Sequence, residues 1–234
     1  MRLLAFETAT EACSVAVYVD GELVERFGLA PRRHAELALP WADEVLAEVG
    51  IAKSQLDAIA VGRGPGAFTG VRLAIAIAQG IALALDRPLL AVSTLAALAM
   101  RAEGHADGDH ILAAIDARMG EVYLGAFARR GEDLVALDTE VVAKPDSVGI
   151  PEGDDWHGVG TGFSAADGAL PLHLQGRLAS VDASALPHAA DVARLGALAF
   201  ARGEAVAPER IEPAYLRNNV ALTLVEQQAL RAKR

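Results

Sequence analysis

Leu3-Leu4-Ala5-Phe6-Glu7-Thr8-Ala9-Thr10-Glu11-Ala12-Cys13-Ser14-Val15-Ala16-Val17-Tyr18-Val19-Asp20-Gly21 opens with an apolar run that ends in an acid, turns, and returns as a second apolar run. Leu3 to Glu7 and Ser14 to Val19 read as strands, because short aliphatic runs bounded by turn residues suit a sheet. Asp20-Gly21 supplies the residues of a tight hairpin turn, so Glu22 to Gly28 follows as a third strand. The same pattern recurs further on. Ala113-Ala114-Ile115-Asp116 answers Leu4-Ala5-Phe6-Glu7 at an offset of 109 residues. Glu121 to Ala128 then answers Ala12 to Val19, and Gly131 answers Gly21 with a one-residue slip. Two copies of one hairpin predict an internal duplication.

A duplicated strand, acid, turn and strand is the layout of the actin, sugar-kinase and chaperone ATPase superfold, an α/β architecture of two similar RNase H-like subdomains. In that layout the first hairpin of each half wraps the phosphates of ATP, and glycines after the acid let backbone amides reach phosphate oxygens. Here the first turn, Glu7 to Ala12, has a longer acid and no glycine. The second, Asp116-Ala117-Arg118-Met119-Gly120, puts a bulky arginine where a small residue would face phosphate. A degraded phosphotransferase site is the expectation. Glu7 and Arg118 remain as weak candidates for a nucleotide contact, Arg118 because a guanidinium pairs with phosphate or carboxylate.

Outward from the first hairpin, Leu37, Trp41, Val45 and Val49 recur every four residues and predict an amphipathic helix ending at Gly50. Pro40 lies in that pattern, so the helix either starts near it or bends there. Leu56 to Val61 reads as a strand, Gly62 to Gly66 as a loop, and Thr69 as the cap of a helix running to Leu85. Large apolar residues occupy every face of that helix. Another helix or another protein must cover what the sheet leaves bare. Leu89 to Val92 is a further strand, and Ser93 caps a short helix from Thr94 to Arg101.

The polar stretch Glu103 to Asp109 divides the chain into residues 1–103 and 104–234, two subdomains of the duplicated fold. In the second half Leu134 to Val142 reads as strand, Val159 to Phe163 as a glycine-rich strand end, and Ala189 to Arg202 as a helix with Val192, Leu195 and Ala199 on one face. Pro208 and Pro213 bracket a loop. Ala221 to Arg234 reads as a weak helix or frayed tail, with the C-terminal segment free to return to the first half.

Composition narrows the function. Hydrophobic residues make up 53% of the chain and aromatics 5%, so the core is built from Ala, Leu, Val and Ile. Lys and Arg number 21 against 31 Asp and Glu, and the net charge of −10 argues against autonomous nucleic-acid binding. The single cysteine, Cys13, excludes an internal disulfide, and the N-terminal apolar run is too short for a secretion signal, so a cytoplasmic place is expected. Leu73 to Leu85 falls short of the roughly 20 residues of a membrane span.

Gly62-Arg63-Gly64-Pro65-Gly66-Ala67 formally satisfies a dinucleotide fingerprint, but Pro65 removes an amide and no acid follows the next strand. A Walker A loop is excluded, since no lysine occurs between Gly62 and Arg87. The glycines read instead as a sharp turn and close helix packing, with Arg63 and Arg72 keeping an anion site open. The six histidines form no helical metal-ligand pair, and His105 and His110 fall in a solvated loop. Gly162-Phe163-Ser164-Ala165-Ala166 lacks the last glycine of a nucleophile elbow, and Cys13 lies inside a strand.

Four segments together are more specific: the opening Glu7 to Ala16, Gly64-Pro65-Gly66-Ala67-Phe68-Thr69-Gly70-Val71-Arg72, Asp116 to Tyr123, and Pro213-Ala214-Tyr215-Leu216-Arg217. In this order they resemble the bacterial TsaB (YeaZ) family, over nearly the whole chain. The resemblance implies a duplicated actin-like fold with no catalytic centre, serving the complex that forms N6-threonylcarbamoyladenosine at position 37 of tRNAs reading codons that begin with A. The implied partners are the catalytic paralogue TsaD, whose metal-binding histidine pair is absent here, and the ATPase TsaE. A homodimer is implied when the chain is alone.

The resemblance further implies an interface on the two first-half helices, for which Leu37, Trp41, Val45, Leu73, Ile77 and Ile81 are the candidates. It implies tRNA contact only through the complex, no metal, no membrane, and no cofactor beyond ATP or ADP at the interface shared with TsaD. Glu7 departs from the commoner Asp at the first strand end, and without the histidine pair no metalloprotease activity is expected. A small-molecule kinase or ATPase of the same superfold is the alternative.

Overall fold

The computed structural model describes residues 1–103 and 105–217; the predicted final helix, Ala221 to Arg234, lies outside the described residues. β1 (Arg2–Glu7), β2 (Ala12–Val19) and β3 (Glu22–Leu29) form a meander, followed by α1 (His34–Glu48), β4 (Ala58–Gly62), α2 (Phe68–Leu85), β5 (Leu89–Val92) and α3 (Thr94–Ala99). The second half runs β6 (His110–Arg118), β7 (Glu121–Arg130), β8 (Asp133–Ala136), β9 (Val141–Ala143), β10 (Trp156–Val159), α4 (Ala169–His173), β11 (Leu178–Asp182) and α5 (Ala189–Ala201).

The first sheet has the order β3-β2-β1-β4-β5 and the second β8-β7-β6-β10-β11, with β9 also on β7. In both, the hairpins are antiparallel and the two crossover strands run parallel to the first. Identical order and direction make the molecule an actin-like, RNase H-like fold in duplicate. The acids sit at matching ends, Glu7 opposite Ser14 and Asp116 opposite Val122.

Alternation along the strands decides which face each layer covers. Leu4, Phe6, Val15, Val17, Ile59 and Val61 face α1 and α2. Leu3, Ala5, Ala16, Ala58 and Ala60 face α5, which belongs to residues 104–234 by chain position and to the first sheet by packing. Gly196 permits that approach, since a Cβ there would lie 2.9 Å from the Ala60 Cβ. After α5 the chain stays on the first half: Val206 bridges to Leu89, Gln79 donates to the Pro208 carbonyl at 2.8 Å, and Ile211 enters the α1–α2 core. The second sheet is covered by α3 on one face and by Phe163, Leu170 and Leu174 on the other, where they pack against Leu112, Leu124 and Trp156 of its strands.

Several local expectations change. α2 starts one residue before Thr69, and no side chain caps it; Ala67 is its N-cap. Leu134 to Val142 is not one strand but β8 and β9, parted where the Leu137 amide bonds the Ala126 carbonyl. The strand expected at Val159 to Phe163 ends at Val159, because Gly160 takes φ +107° and turns the chain into a short 3-10 helix, Thr161–Phe163. α1 begins at His34 and runs through Pro40, which lies on its exposed side. Ser93 caps α3 as expected, accepting from the amides of Leu95 and Ala96.

By length and composition α2 is apolar enough to cross a membrane. It lies along the sheet, with Val71, Ala74, Ile75, Ala78 and Ala82 buried, Leu73, Ile77 and Ile81 half-buried, and Ala76, Gly80 and Leu83 exposed. α1 packs beside it and covers part of the remainder.

Candidate functional site: the cleft between the two hairpins

The turn after β1 and the turn after β6 face each other across a cleft of about 680 Å³. Glu7, which ends β1, does not line it. The Glu7 carboxylate is 1% exposed and accepts the Ala9 amide at 2.7 Å and the Thr94 hydroxyl at 2.9 Å. Thr94 in turn accepts the Gly64 amide at 3.1 Å. Gly62 has to be glycine here, since a Cβ would fall 1.9 Å from the Glu7 Oε2. Burial raises this carboxyl from its ordinary value to about 7, against the opposing pull of the Ala9 and Thr94 hydrogen bonds. Glu7 is a structural acid that pins three loops.

The first turn is filled by the chain itself. The Ala67 amide donates to the Ala9 carbonyl at 2.7 Å, and the Thr8 hydroxyl donates to the Gly70 carbonyl at 2.7 Å. A Cβ at Gly66 would lie 2.5 Å from the Ala9 oxygen, and one at Gly70 2.0 Å from the Thr8 oxygen. Gly62 and Gly64 thus make room for the side chains of Glu7 and Val71, and Gly66 and Gly70 for backbone; the close packing expected of the Gly62 to Gly66 run is what the fold shows.

Across the cleft, Arg118, Met119 and Gly120 all have positive φ. Asp116 holds this turn by accepting the Arg118 amide at 2.8 Å and its guanidinium at 3.1 Å, while its own amide donates to the Thr161 hydroxyl at 3.2 Å. The Arg118 side chain is 83% exposed at the mouth.

A third element closes one side. Pro213 to Arg217 crosses the cleft as a strap: the Ala214 amide donates to the Arg63 carbonyl at 2.8 Å, and Tyr215 meets Arg72 of α2. The Arg72 guanidinium lies 3.2 Å from the Phe68 ring centroid and 5.0 Å from that of Tyr215, and donates to the Phe68 carbonyl. On the far side Arg217 pairs with Glu121 and donates to the Ala117 carbonyl at 3.2 Å. All four of the segments singled out in the sequence therefore converge on one cleft. The Pro213 to Arg217 segment stands out in the sequence, but its place does not, because the partners of Tyr215 and Arg217 lie about 100 residues or more away in the chain.

The candidate interface residues divide. Val45 is fully buried in the chain's own core and offers no surface to a partner, a correction that follows from its facing the sheet. Leu37 and Trp41 are half-buried, Trp41 reaching over Gly28 of β3. Leu73, Ile77 and Ile81 are half-buried on α2. Leu39 at 50%, Leu83 at 63% and, at the cleft end of α2, Phe68 at 68% exposure are the large apolar side chains these helices leave open.

Among the described residues no three His, Cys, Asp or Glu side chains are grouped to hold a metal. Cys13 is buried and its thiol is pushed up to about 11 by desolvation, so it is no nucleophile at neutral pH. Ser164 donates to the Thr161 carbonyl of its own turn.

Residues 23–224 match the family described as "TsaD: tRNA N6-adenosine threonylcarbamoyltransferase". The chain is 43% identical to the tRNA threonylcarbamoyladenosine biosynthesis protein TsaB of Escherichia coli, over 94% of this chain and 96% of that one. It is 38% identical to the TsaB of Haemophilus influenzae, over 94% and 95%. The solved structure of YeaZ from Pseudomonas aeruginosa superposes with a TM-score of 0.85 at 46% identity, covering 92% of this chain and 99% of that one. With the duplicated fold and motif order already in place, this likeness along the whole length means that the chain belongs to the TsaB (YeaZ) family, a branch of the wider TsaD family.

Proposed function

We propose that this chain serves the formation of N6-threonylcarbamoyladenosine at position 37 of tRNAs reading codons that begin with A, as a non-catalytic partner that binds and activates TsaD. The observation that carries the non-catalytic reading is the filled first turn. Where a phosphotransferase of this fold offers free backbone amides to phosphate, the Ala9 amide of this turn is spent on the sealed Glu7 carboxyl, the Ala9 carbonyl is taken by the Ala67 amide, and Gly70 abuts Thr8.

The binding reading rests on the bare side of α1 and α2, where Leu39, Ala76, Gly80 and Leu83 are exposed on helices otherwise packed into the core. Small residues on α2 allow a second pair of helices to approach closely. TsaD is the occupant in the complex, a second copy of this chain when TsaD is absent, and TsaE the third member. The net charge of −10 fits a subunit that reaches tRNA through its partners, and the lone Cys13 fits the cytoplasm. ATP or ADP belongs at the contact shared with TsaD rather than to this chain alone.

Co-expression with the organism's TsaD, followed by sizing and an assay of modified tRNA, tests the reading. A 1:1 complex needed for modification is the expected result; full modification by TsaD and TsaE without this chain would overturn it. The cleft itself favours a second reading, a small-molecule kinase or ATPase, since its volume falls in the range of ligand sites. Calorimetry with ATP and Mg²⁺ on the isolated chain decides between the two, tight binding favouring the kinase.

A further inference from the structure

We propose that the mouth of the cleft is a docking site for an acidic peptide segment of a partner protein, anchored by one bulky apolar side chain, and distinct from the α1–α2 face.

Three observations carry it. The first is exposure: Met119 at 86%, Phe68 at 68% and Tyr215 at 58% are among the most exposed large apolar side chains of the described residues, and all three line this cleft. Apolar side chains gathered at a concave rim mark an interaction site, and aromatic residues, Met and Arg are the types enriched at protein contacts.

The second is charge. In a chain of net charge −10, four arginines line the cleft. Arg118 is met by Asp116 and Arg217 by Glu121, but Arg72 bonds only neutral groups and Arg32 makes no ion pair or hydrogen bond among the described residues. Glu11 is the one further acid in the lining. A carboxylate-rich segment supplies what Arg32 and Arg72 lack, and guanidinium forks bind carboxylates in defined geometry.

The third is the shape of the turn. Two-residue hairpin turns of positive φ favour Asn and Gly, yet Met119 takes φ +58° and Arg118 beside it φ +64°. The Met119-Gly120 turn and the strand irregularity at Arg118, braced by Asp116, hold an arginine and a methionine outward at the rim. The floor beneath is already ordered, with Arg72 fixed against Phe68 and Tyr215, so docking would order few side chains.

A single-stranded RNA is the competing occupant, because aromatic rings and arginines also bind bases. The observations favour a peptide. The rings of Phe68 and Tyr215 are engaged by the Arg72 guanidinium rather than left open for stacking, and Met119 offers no flat surface.

The test is a selection of a random dodecapeptide phage library on the full chain, with recovered peptides measured against wild type and against the Arg32→Glu/Arg118→Glu double variant. Recovered peptides rich in Asp and Glu around an aromatic or leucine, binding at least tenfold more weakly to the double variant and to Met119→Ser, are expected. Their affinity for the wild type should also fall at least tenfold between 50 mM and 500 mM salt, a readout independent of whether the double variant folds. No enrichment, peptides without an acidic excess, or binding indifferent to salt would overturn the proposal. So would tighter, saturable binding of a fluorescent decauridylate at the same site.

Discussion

The Thr8 hydroxyl donates to the Gly70 carbonyl at 2.7 Å, and the Thr8 carbonyl stands where a Cβ of Gly70 would come within 2.0 Å. The first turn of α2 is thereby seated on the turn that follows β1. Because the obstacle is backbone at both ends, neither side can rotate away. Gly70→Ala is expected to destabilise the fold by about 3 kcal/mol, at the upper end of overpacking effects. Gly80, on the same helix, has nothing within 4 Å of the place a Cβ would take, so Gly80→Ala should stabilise by about 0.5–1 kcal/mol through helix propensity alone. Urea unfolding of both variants checks the pair; equal and small effects would mean that the contact is not tight.

Glu7 makes stability depend on pH in a stated direction. Its carboxyl titrates at about 7 when folded and near 4.5 when unfolded, so between these values the folded state binds more protons. Stability from this group is therefore fullest below about pH 4.5 and is lost as pH rises through 7, a change of about 3 kcal/mol. Glu7→Gln removes the titration while keeping an acceptor for the Ala9 amide. The variant should come closest to wild type near pH 4 and exceed it by about 3 kcal/mol at pH 8 in denaturant unfolding. Asp191 and Glu140 are also raised by burial, so it is the difference between variant and wild type that isolates Glu7. A difference that stays constant across this range would show that the carboxyl is ionised throughout.

What the chain reveals before folding is set by how local each signal is. The two hairpins, the acids at their ends and the Asp20-Gly21 turn are legible because strand alternation and turn chemistry act over a few residues. The packing role of Gly66 is legible as a preference for close approach, whereas that of Gly70 emerges only when Thr8 is brought against it. The place of the strap is not legible, since Tyr215 finds Arg72 and Arg217 finds Glu121 only after both halves have folded. Val45 shows the limit of helical periodicity: it shares the apolar stripe of Leu37 and Trp41, but that stripe is what the helix buries, and the open residue, Leu39, sits among Glu36 and Asp43. β11 and α4 are hidden in the sequence because Leu178–Asp182 is a half-exposed edge strand of mixed polarity and Ala169–His173 is little more than one turn with Pro171 inside it.

The proposed α1–α2 contact is best probed where the helix is open. Ile77 is half-buried against the core, so a charge there would confuse unfolding with lost association. Leu83 is 63% exposed, and Leu83→Glu should leave the unfolding midpoint unchanged. The same substitution is expected to weaken association with TsaD, or self-association of the chain alone, by at least tenfold, since it puts a charge into a desolvated apolar contact. Sedimentation velocity reads the second effect and thermal unfolding the first. Wild-type association with an unchanged midpoint would move the contact off this face.

The strap carries the last prediction. Arg217 is anchored on the second half by Glu121 and the Ala117 carbonyl, while two residues earlier Tyr215 is anchored on the first half by Arg72. Cutting either anchor should loosen the same turn, because Arg118 is otherwise held by Asp116 and by its strand pairing with Glu121. The Arg217 side chain is 19% exposed and Glu121 33%, so screening is partial and Arg217→Ala should cost about 1–2 kcal/mol. The more telling readout is local. Hydrogen exchange at the amides of Arg118 and Glu121 should accelerate by at least tenfold in Arg217→Ala and less in Tyr215→Phe, while amides in α1 keep their rates. If exchange in the turn is unmoved by Arg217→Ala, the strap lies across the cleft without holding it, and the rigidity of the mouth must come from Asp116, Thr161 and the hairpin pairing itself.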